Sequence, residues 1–462
     1  MFTYIDLFAG CGGLSLGLEK SGWQLKLAVE KSPMAAETFF YNLISCEQVN
    51  QTWGRDYPSL PIFEQVSKRM VVGPVSDVLG DSRVMTQLLN SDIDLLAGGP
   101  PCQGFSLAGR RNQNDARNGL AWDFLDFAQQ VKPKFIVMEN VLGMNAKFSK
   151  KQDASIFESL ATALEYLGDA ELKNSSYVVQ KVAANAMHYG AAQHRPRLLL
   201  IACRKDIAEK LGLKATNQIW KSTFLEDKVD LKVPDLAPVP SRSNSGVTVR
   251  EALLDFLEGS DSEYTRFLKN DVEWGLLPPG QNLMNHNFRS HSERTRAKFA
   301  MYQLIQRNGL DPIIMKDPQD LNKNLQREAA LDLAKQALSF PLKSAGSLSG
   351  LNLNDFLQLL EKIKTKKHSQ RVLNLGNPAP TVVTAADDLV HPVVERVLSV
   401  RELARFQGFP DSFEFRSKET TGGLKRRTEV PQYSQVGNAV SPFLSFAIGV
   451  RLKQLLEQLA TS

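Results

Sequence analysis

Cysteine is scarce in this chain of 462 residues: there are four, Cys11, Cys46, Cys102 and Cys203, widely spread and without a C-x-x-C pair. Such spacing supports neither a zinc site nor a disulfide framework, and an intracellular protein is expected. No run of about 18 apolar residues occurs, so a membrane span is not expected. The opening MFTYIDLFAG enters a strand pattern without the basic and long apolar regions of a secretory signal. Charge of one sign is also missing. Lys and Arg number 55 against 50 Asp and Glu, a net +5 compatible with a polyanionic partner but too small to demonstrate one. Internal repeats and low-complexity tracts are absent.

What the chain does have, 43% hydrophobic and 23% charged residues, is enough to bury a core and divide into two domains. Through the first two hundred residues, short apolar runs alternate with amphipathic stretches, the pattern of β-α units feeding a parallel sheet. YIDLF, LKLAVE, IDLLAGG, KFIVMEN and RLLLIACR read as its strands. Several end in Gly, Glu or Asn, and ligands of open α/β sheets gather at the carboxyl ends of strands. Beyond about residue 205 the pattern loosens, with helical patches expected near 250–258, 292–306 and 325–340. The last stretch places Phe443, Phe446, Ala447 and Val450 at helical spacing after a Ser-Pro start, a helix expected to return onto the first domain.

Four short stretches invite chemistry. In DLFAGCGGLSLG, residues 6–17, glycines follow a strand and open a helix, so backbone N–H groups can approach a ligand, with Glu30 at the end of the next strand available to ribose hydroxyls. Ser15 stands where a nicotinamide fingerprint needs glycine, which favours an adenosyl ligand. A plain tight turn would look similar. In GGPPCQGFS, residues 98–106, two prolines stiffen the chain just before Cys102, as a nucleophile requires, although isolated cysteines are more often inert and buried. KFIVMENV presents Glu139 and Asn140 at a strand end, either as caps or into the same crevice. QHRPR, residues 193–197, sets Arg195 and Arg197 two apart, suited to phosphate or to a neighbouring carboxylate, or to nothing beyond the surface.

Together with RELARFQGFP at 401–410 and QVGNAVSP at 435–442, these stretches resemble the cytosine-C5 DNA methyltransferase family, six motifs in the family's order. The resemblance covers roughly 1–205 and 372–462 and includes PAPTVVTAADDLVHP. It departs at GNAVSP, where the family more often has proline directly after valine, and at RSKETTGGLKRRTEV, residues 416–430, a basic insertion of no assigned role.

The resemblance implies an α/β fold of the S-adenosylmethionine-dependent, Rossmann-like kind: a mixed, mostly parallel sheet with a smaller irregular target-recognition domain. Residues 1–205 would form the catalytic and cofactor domain, 206–424 the target-recognition domain, and 425–462 a segment returning to the first. It implies methyl transfer from S-adenosyl-L-methionine to C5 of a flipped-out cytosine in a short duplex DNA sequence. Cys102 would be the nucleophile at C6, Glu139 the acid at N3, Asn140 the residue holding the loop, and Arg195 the positioner of Glu139, with Arg197 and Gln193 beside it. Phe8, Gly10, Cys11, Gly12, Gly13, Leu14, Glu30, Asp77, Pro100, Leu120, Asn438 and Ala439 would surround the cofactor. Gln103, Ser106, Arg110, Arg111 and Arg117, on a loop similar to the family's mobile catalytic loop, would contact DNA. No metal is expected. With no accessory domain ahead of the first motif, the chain is similar to prokaryotic enzymes of restriction-modification or phage defence. A cytoplasmic monomer bound to double-stranded DNA is then expected, with a separately encoded endonuclease or defence system as partner. An RNA cytosine-C5 methyltransferase or a silent DNA-binding subunit of the same fold are the rivals; the CFT tripeptide of the tRNA-acting branch is absent.

Overall fold

The computed structural model describes residues 1–101, 119–145, 155–169, 171–223, 233–240, 246–270, 283–309, 358, 360–365 and 369–461. Its centre is an eight-stranded sheet. The strands are β1 (Thr3–Leu7), β2 (Gln24–Glu30), β3 (Met70–Val72), β4 (Leu95–Gly98), β5 (Phe135–Val141), β6 (Tyr177–Asn185), β8 (Pro196–Arg204) and β9 (Trp220–Lys221). The two-residue β7 (Gln193–His194) pairs outside it with Ala379–Pro380. The order is β3-β2-β1-β4-β5-β8-β6-β9. The first five strands run parallel, and β8 is antiparallel to both β5 and β6. The sheet is thus mixed and mostly parallel, and all five strands read from the sequence lie in it.

Alternation along each strand explains the layering. Tyr4, Leu95, Ala97, Phe135 and Val137 face one core with α1 (Gly13–Lys20), α2 (Pro33–Leu43) and the C-terminal helix Pro442–Thr461. Ile5, Leu7, Leu96, Ile136 and Met138 face the other, covered by the helices around 75–89, 120–131 and 156–165. After β3 the chain returns to the far side of β1 to make β4, so the order reverses between β1 and β4. Ligand crevices of open α/β sheets form at such reversals.

The C-terminal helix does return to α1, and of the expected face Phe443 and Ala447 pack partly buried against the core, but the fully buried stripe lies beside them. Leu444, Ser445, Ile448, Gly449 and Leu452 are buried, while Phe446 is exposed. Small residues decide this. A Cβ at Gly17 would lie 2.1 Å from Ser445 Oγ, and one at Gly449 would lie 2.0 Å from Ser21 Oγ, so the two helices approach almost backbone to backbone.

Beyond residue 206, Ile207, Ala208, Leu213, Leu236 and Ala237 join the core of the sheet and Trp220–Lys221 extends its edge. A third core gathers the helix Val249–Glu258, the helix Val400–Gln407, Phe409, Phe413 and Phe415 with Cys11 and Leu16 from the first motif. Helices at 249–258 and 293–307 match two expected patches; the patch at 325–340 lies outside the described residues.

Candidate active site

The carboxyl edge of the sheet assembles the candidate site. β1 ends at Leu7, and the turn that follows takes Phe8, Gly10 and Gly12 through positive φ angles of 58°, 58° and 98°. A Cβ at Gly10 would meet nothing within 4 Å, so this turn borders open room. At Gly13 a Cβ would lie 2.3 Å from the Val440 carbonyl oxygen, so only glycine allows the 439–440 segment to lie against the start of α1. Glu30, at the end of β2, accepts the Gly10 N–H at 2.9 Å and the Ser32 N–H at 2.7 Å. Burial raises its carboxyl above the ordinary range, and these donors partly oppose the rise. Behind the turn lies fully buried Asp6. Its Oδ2 accepts from Ser15 Oγ at 2.6 Å, its Oδ1 has no partner, and burial pushes it up to about 7.

Beside this turn, β4 delivers Gly98 and Gly99 to Pro100 and Pro101. A Cβ at Gly98 would lie 2.2 Å from the Leu7 carbonyl oxygen, and one at Gly99 would lie 3.1 Å from Glu139 Oε2. The paired glycines therefore bring this backbone close both to β1 and to the carboxylate of β5. Asn140 Nδ2 donates to the Pro100 carbonyl at 3.0 Å, while its Oδ1 accepts the Val141 N–H at 2.9 Å. The last described residues before Cys102 are thus tied to the strand that carries Glu139.

The arginines divide differently from the sequence expectation. Arg197 Nε lies 2.8 Å from Glu139 Oε1, and the antiparallel register that sets Arg197 opposite Val141 puts it there. Arg195 instead is buried and donates to the carbonyls of Val382 (3.0 Å), Gly437 (2.8 Å) and Ala439 (2.8 Å). Burial, and Arg197 nearby, depress its pKa well below the usual value. The contact with Glu139 expected of Arg195 is made by Arg197. Gln193 is also no reacting group by geometry. It donates to the Phe406 carbonyl (3.3 Å) and Gln407 Oε1 (2.6 Å) and accepts the Val382 N–H (3.0 Å), locking β7 to the returning chain.

The other expected cofactor residues separate into two groups. Asn438 and Asp77 are exposed, Asp77 in the helix after β3; Leu120 opens the helix 120–131, Ala439 lies against Gly13, and Pro100 is bonded to Asn140. Leu14 and Cys11 do not offer their side chains to a ligand. Leu14 packs in the core beside Leu18, and the Cys11 thiol, pushed up to about 12 by burial, donates to the Gln435 carbonyl at 3.6 Å. Gly12 backs onto Phe39 and Leu43 of α2. Cys102, Gln103, Ser106, Arg110, Arg111 and Arg117 lie outside the described residues. Sequence reasoning missed Gly99, whose signal was the glycine pair ahead of the prolines, and the Asp6–Ser15 bond, visible only as a residue at odds with a nucleotide fingerprint. Among the described residues no group of His, Cys, Asp and Glu could hold a metal ion, and no single helix is long and apolar enough to cross a membrane.

A family model described as C-5 cytosine-specific DNA methylase matches residues 2–454. The type II methyltransferase M.DdeI of Desulfomicrobium norvegicum is 28% identical, over 98% of this chain and 89% of that protein. The type II methyltransferase M1.HphI of Haemophilus parahaemolyticus is 28% identical over 96% and 85%. DNA (cytosine-5)-methyltransferase 1A of Oryza sativa is 26% identical over 98% of this chain, which spans 28% of that longer protein. Among solved structures, an E. coli protein described as a DNA modification methyltransferase encoded within a prophage covers 99% of this chain and all of its own, with a TM-score of 0.52 at 22% identity, a likeness of fold.

Proposed function

The chain belongs to the C-5 cytosine-specific DNA methylase family, and from that premise we infer how its own residues methylate cytosine at C5 in DNA. The observation that carries the assignment of roles is the junction of two strand ends. Glu139 is held by Arg197, and Pro100 is held by Asn140, one residue further along the same strand.

C5 of cytosine is too weak a nucleophile to accept a methyl group unless the ring is first activated. The Cys102 thiolate adds to C6, forming an S–C bond while the C5=C6 electron pair shifts into the ring toward N3. Glu139, as the carboxylic acid, donates a hydrogen bond from Oε2 to N3 and so stabilises the charge that develops there, with Arg197 fixing Oε1 and Oε2 lying toward Gly99 and the entering base. After C5 has been methylated, loss of the C5 proton returns an electron pair to the ring, the S–C bond breaks, and the thiolate leaves. The target nucleotide has to leave the duplex stack for this, at a cost of a few kcal/mol.

The methyl donor that fits is S-adenosyl-L-methionine. The turn at Phe8–Gly12 borders open room at Gly10, Glu30 is rigidly held for ribose hydroxyls, and we place Asp77, Pro100, Leu120, Asn438 and Ala439 along the same edge. When bound, it supplies an electrophilic methyl group. The type II relatives support a place in a bacterial restriction-modification system; on this reading the enzyme is a cytoplasmic monomer and a separately encoded endonuclease reads the same duplex sequence.

The test is transfer of tritiated methyl groups from S-adenosyl-L-methionine to mixed-sequence duplex DNA, with Cys102→Ser alongside and bisulfite mapping of the product. Label at C5 within one short motif, lost in the variant, is the expected result. Label on RNA alone, or full activity of Cys102→Ser, would overturn the reading.

A further inference from the structure

The 416–430 stretch has no part in the chemistry above, yet the structure builds it as a definite feature. Ser417, at a φ of 66°, starts a finger whose base is pinned from several sides. Ser417 Oγ donates to Glu37 Oε2 of α2 at 2.8 Å, and Gln432 Nε2 donates to the Ser417 carbonyl at 2.9 Å. Glu429 joins both Lys418 and Thr421, and these contacts hold its carboxyl below the usual range. The tip is a 3-10 turn, Gly423–Arg427, in which every residue is exposed, Leu424 at 80%. Five basic residues against two acidic ones fall within 416–430. With Glu429 drawn to the base by Lys418, the tip presents Lys425, Arg426 and Arg427 to solvent. Arg426 Nε also donates to the Thr421 carbonyl at 3.2 Å, which stiffens the turn.

Its place matters more than its charge, since an exposed basic turn is commonly just solvated. The finger rests on α2, which leaves the carboxyl end of β2, and it leads into Gln435, which bonds Thr38 Oγ1 at 2.7 Å. It therefore rises from the sheet edge that carries Glu139 and Pro100. From β5 to β2 there are three strand intervals, about 14 Å at roughly 4.8 Å each. Along a duplex that is about four base pairs at 3.4 Å per step. For a duplex laid along this strand order, a base delivered to Glu139 lies well within one turn of the base of the finger.

We propose that the 416–430 finger grips the phosphodiester backbone of the duplex through Lys425, Arg426 and Arg427, flanking the flipped base on the cofactor side. The proposal rests on duplex DNA being the substrate. It adds affinity without base readout, because contacts to phosphate position a protein and carry no sequence information directly.

The test variant is Lys425→Gln/Arg427→Gln in the full chain, which spares the Arg426 bond within the turn. Its control is Lys132→Gln/Lys173→Gln, which removes the same charge from exposed positions at the opposite, amino edge of the sheet. DNA affinity is measured by fluorescence anisotropy between 50 and 200 mM salt. The expected slope of log K against log salt falls by about 1.8, at about 0.9 per phosphate, with affinity about ten- to a hundredfold weaker near 0.1 M salt. Specific and unrelated duplexes weaken alike, turnover at saturating DNA holds, and the control keeps the wild-type slope. An unchanged slope in the tip variant, or an equal change in the control, overturns the proposal. If the wild-type chain methylates no duplex DNA, the reading of its substrate fails first, a result separate from either.

Discussion

Asp6→Asn changes shape hardly at all and removes one titration. In the folded chain Asp6 is fully buried, its single side-chain bond comes from Ser15, and burial raises its pKa from 3.8 to about 7. A carboxyl raised in the folded state holds its proton after the unfolded chain has lost it. Its contribution to stability is complete below pH 3.8 and drains away as pH climbs to about 7. At about 1.4 kcal/mol per pH unit, the whole loss is about 4 kcal/mol, and the part above pH 5 is about 3 kcal/mol. For a chain of this length the unfolding entropy is about 1 kcal/mol/K, so that part corresponds to about 3 °C in Tm if the chain melts in one transition. The assay is scanning calorimetry of wild type and Asp6→Asn at pH 5 and pH 8. Other titrations cancel in the double difference, which should favour the variant at pH 8 by about 3 °C. Parallel profiles would refute the burial argument.

Gly17→Ala places a Cβ 2.1 Å from Ser445 Oγ and 2.4 Å from both the Phe446 nitrogen and the Pro442 oxygen, and should cost about 1–3 kcal/mol. Because two of those atoms are backbone, adding Ser445→Gly should restore little of the lost Tm, whereas Gly80→Ala, with open space around it, should be tolerated. Arg195→Met leaves three buried carbonyls without their donor, about 3 kcal/mol or more at 1–3 kcal/mol each. Two of the three lie at Gly437 and Ala439, so calorimetric affinity for S-adenosyl-L-methionine should fall along with Tm; unchanged affinity would show that the 437–439 segment does not shape the cofactor pocket.

Elements with one strong signal were legible in the sequence. The five strands announced themselves as short apolar runs, since strands covered on both faces of the sheet need apolar residues on both. β6 escaped because YVVQKVAAN carries Gln180 and Lys181 in its middle. Gln180 is buried all the same, donating to the Lys214 carbonyl at 2.8 Å and accepting the Leu236 N–H at 2.7 Å, so a loop from outside the sheet satisfies it. No local pattern foretells a partner 56 residues away. The face of the C-terminal helix was only half legible for a related reason: Phe443 and Ala447 do pack, but Phe446 does not. Aromatic residues mark hydrophobicity, but close approach to α1 selects Ser445 and Gly449, whose smallness has meaning only once Gly17 and Ser21 are opposite.

The exchange of places between Arg195 and Arg197 shows where motif reading stops. Both residues stood out in the sequence, and the spacing of two suggested one shared direction. Pro196 begins β8, so Arg197 belongs to the ladder opposite Val141 and meets Glu139, whereas Arg195 precedes the ladder and reaches across to the returning chain. The consequence is a division of labour. Arg197 and Asn140 hold Glu139 and Pro100, while Arg195 and Gln193 fasten 382, 406–407 and 437–439 beside them. Residues from both ends of the chain thus meet in one hydrogen-bonded network. Gln435 adds a further tie by bonding Thr38 in α2, next to the base of the basic finger. A cofactor held against Asn438 and Ala439 would therefore reinforce the same contacts that seat the finger, so cofactor and DNA backbone should bind with mutual support through α2 and the 432–438 helix.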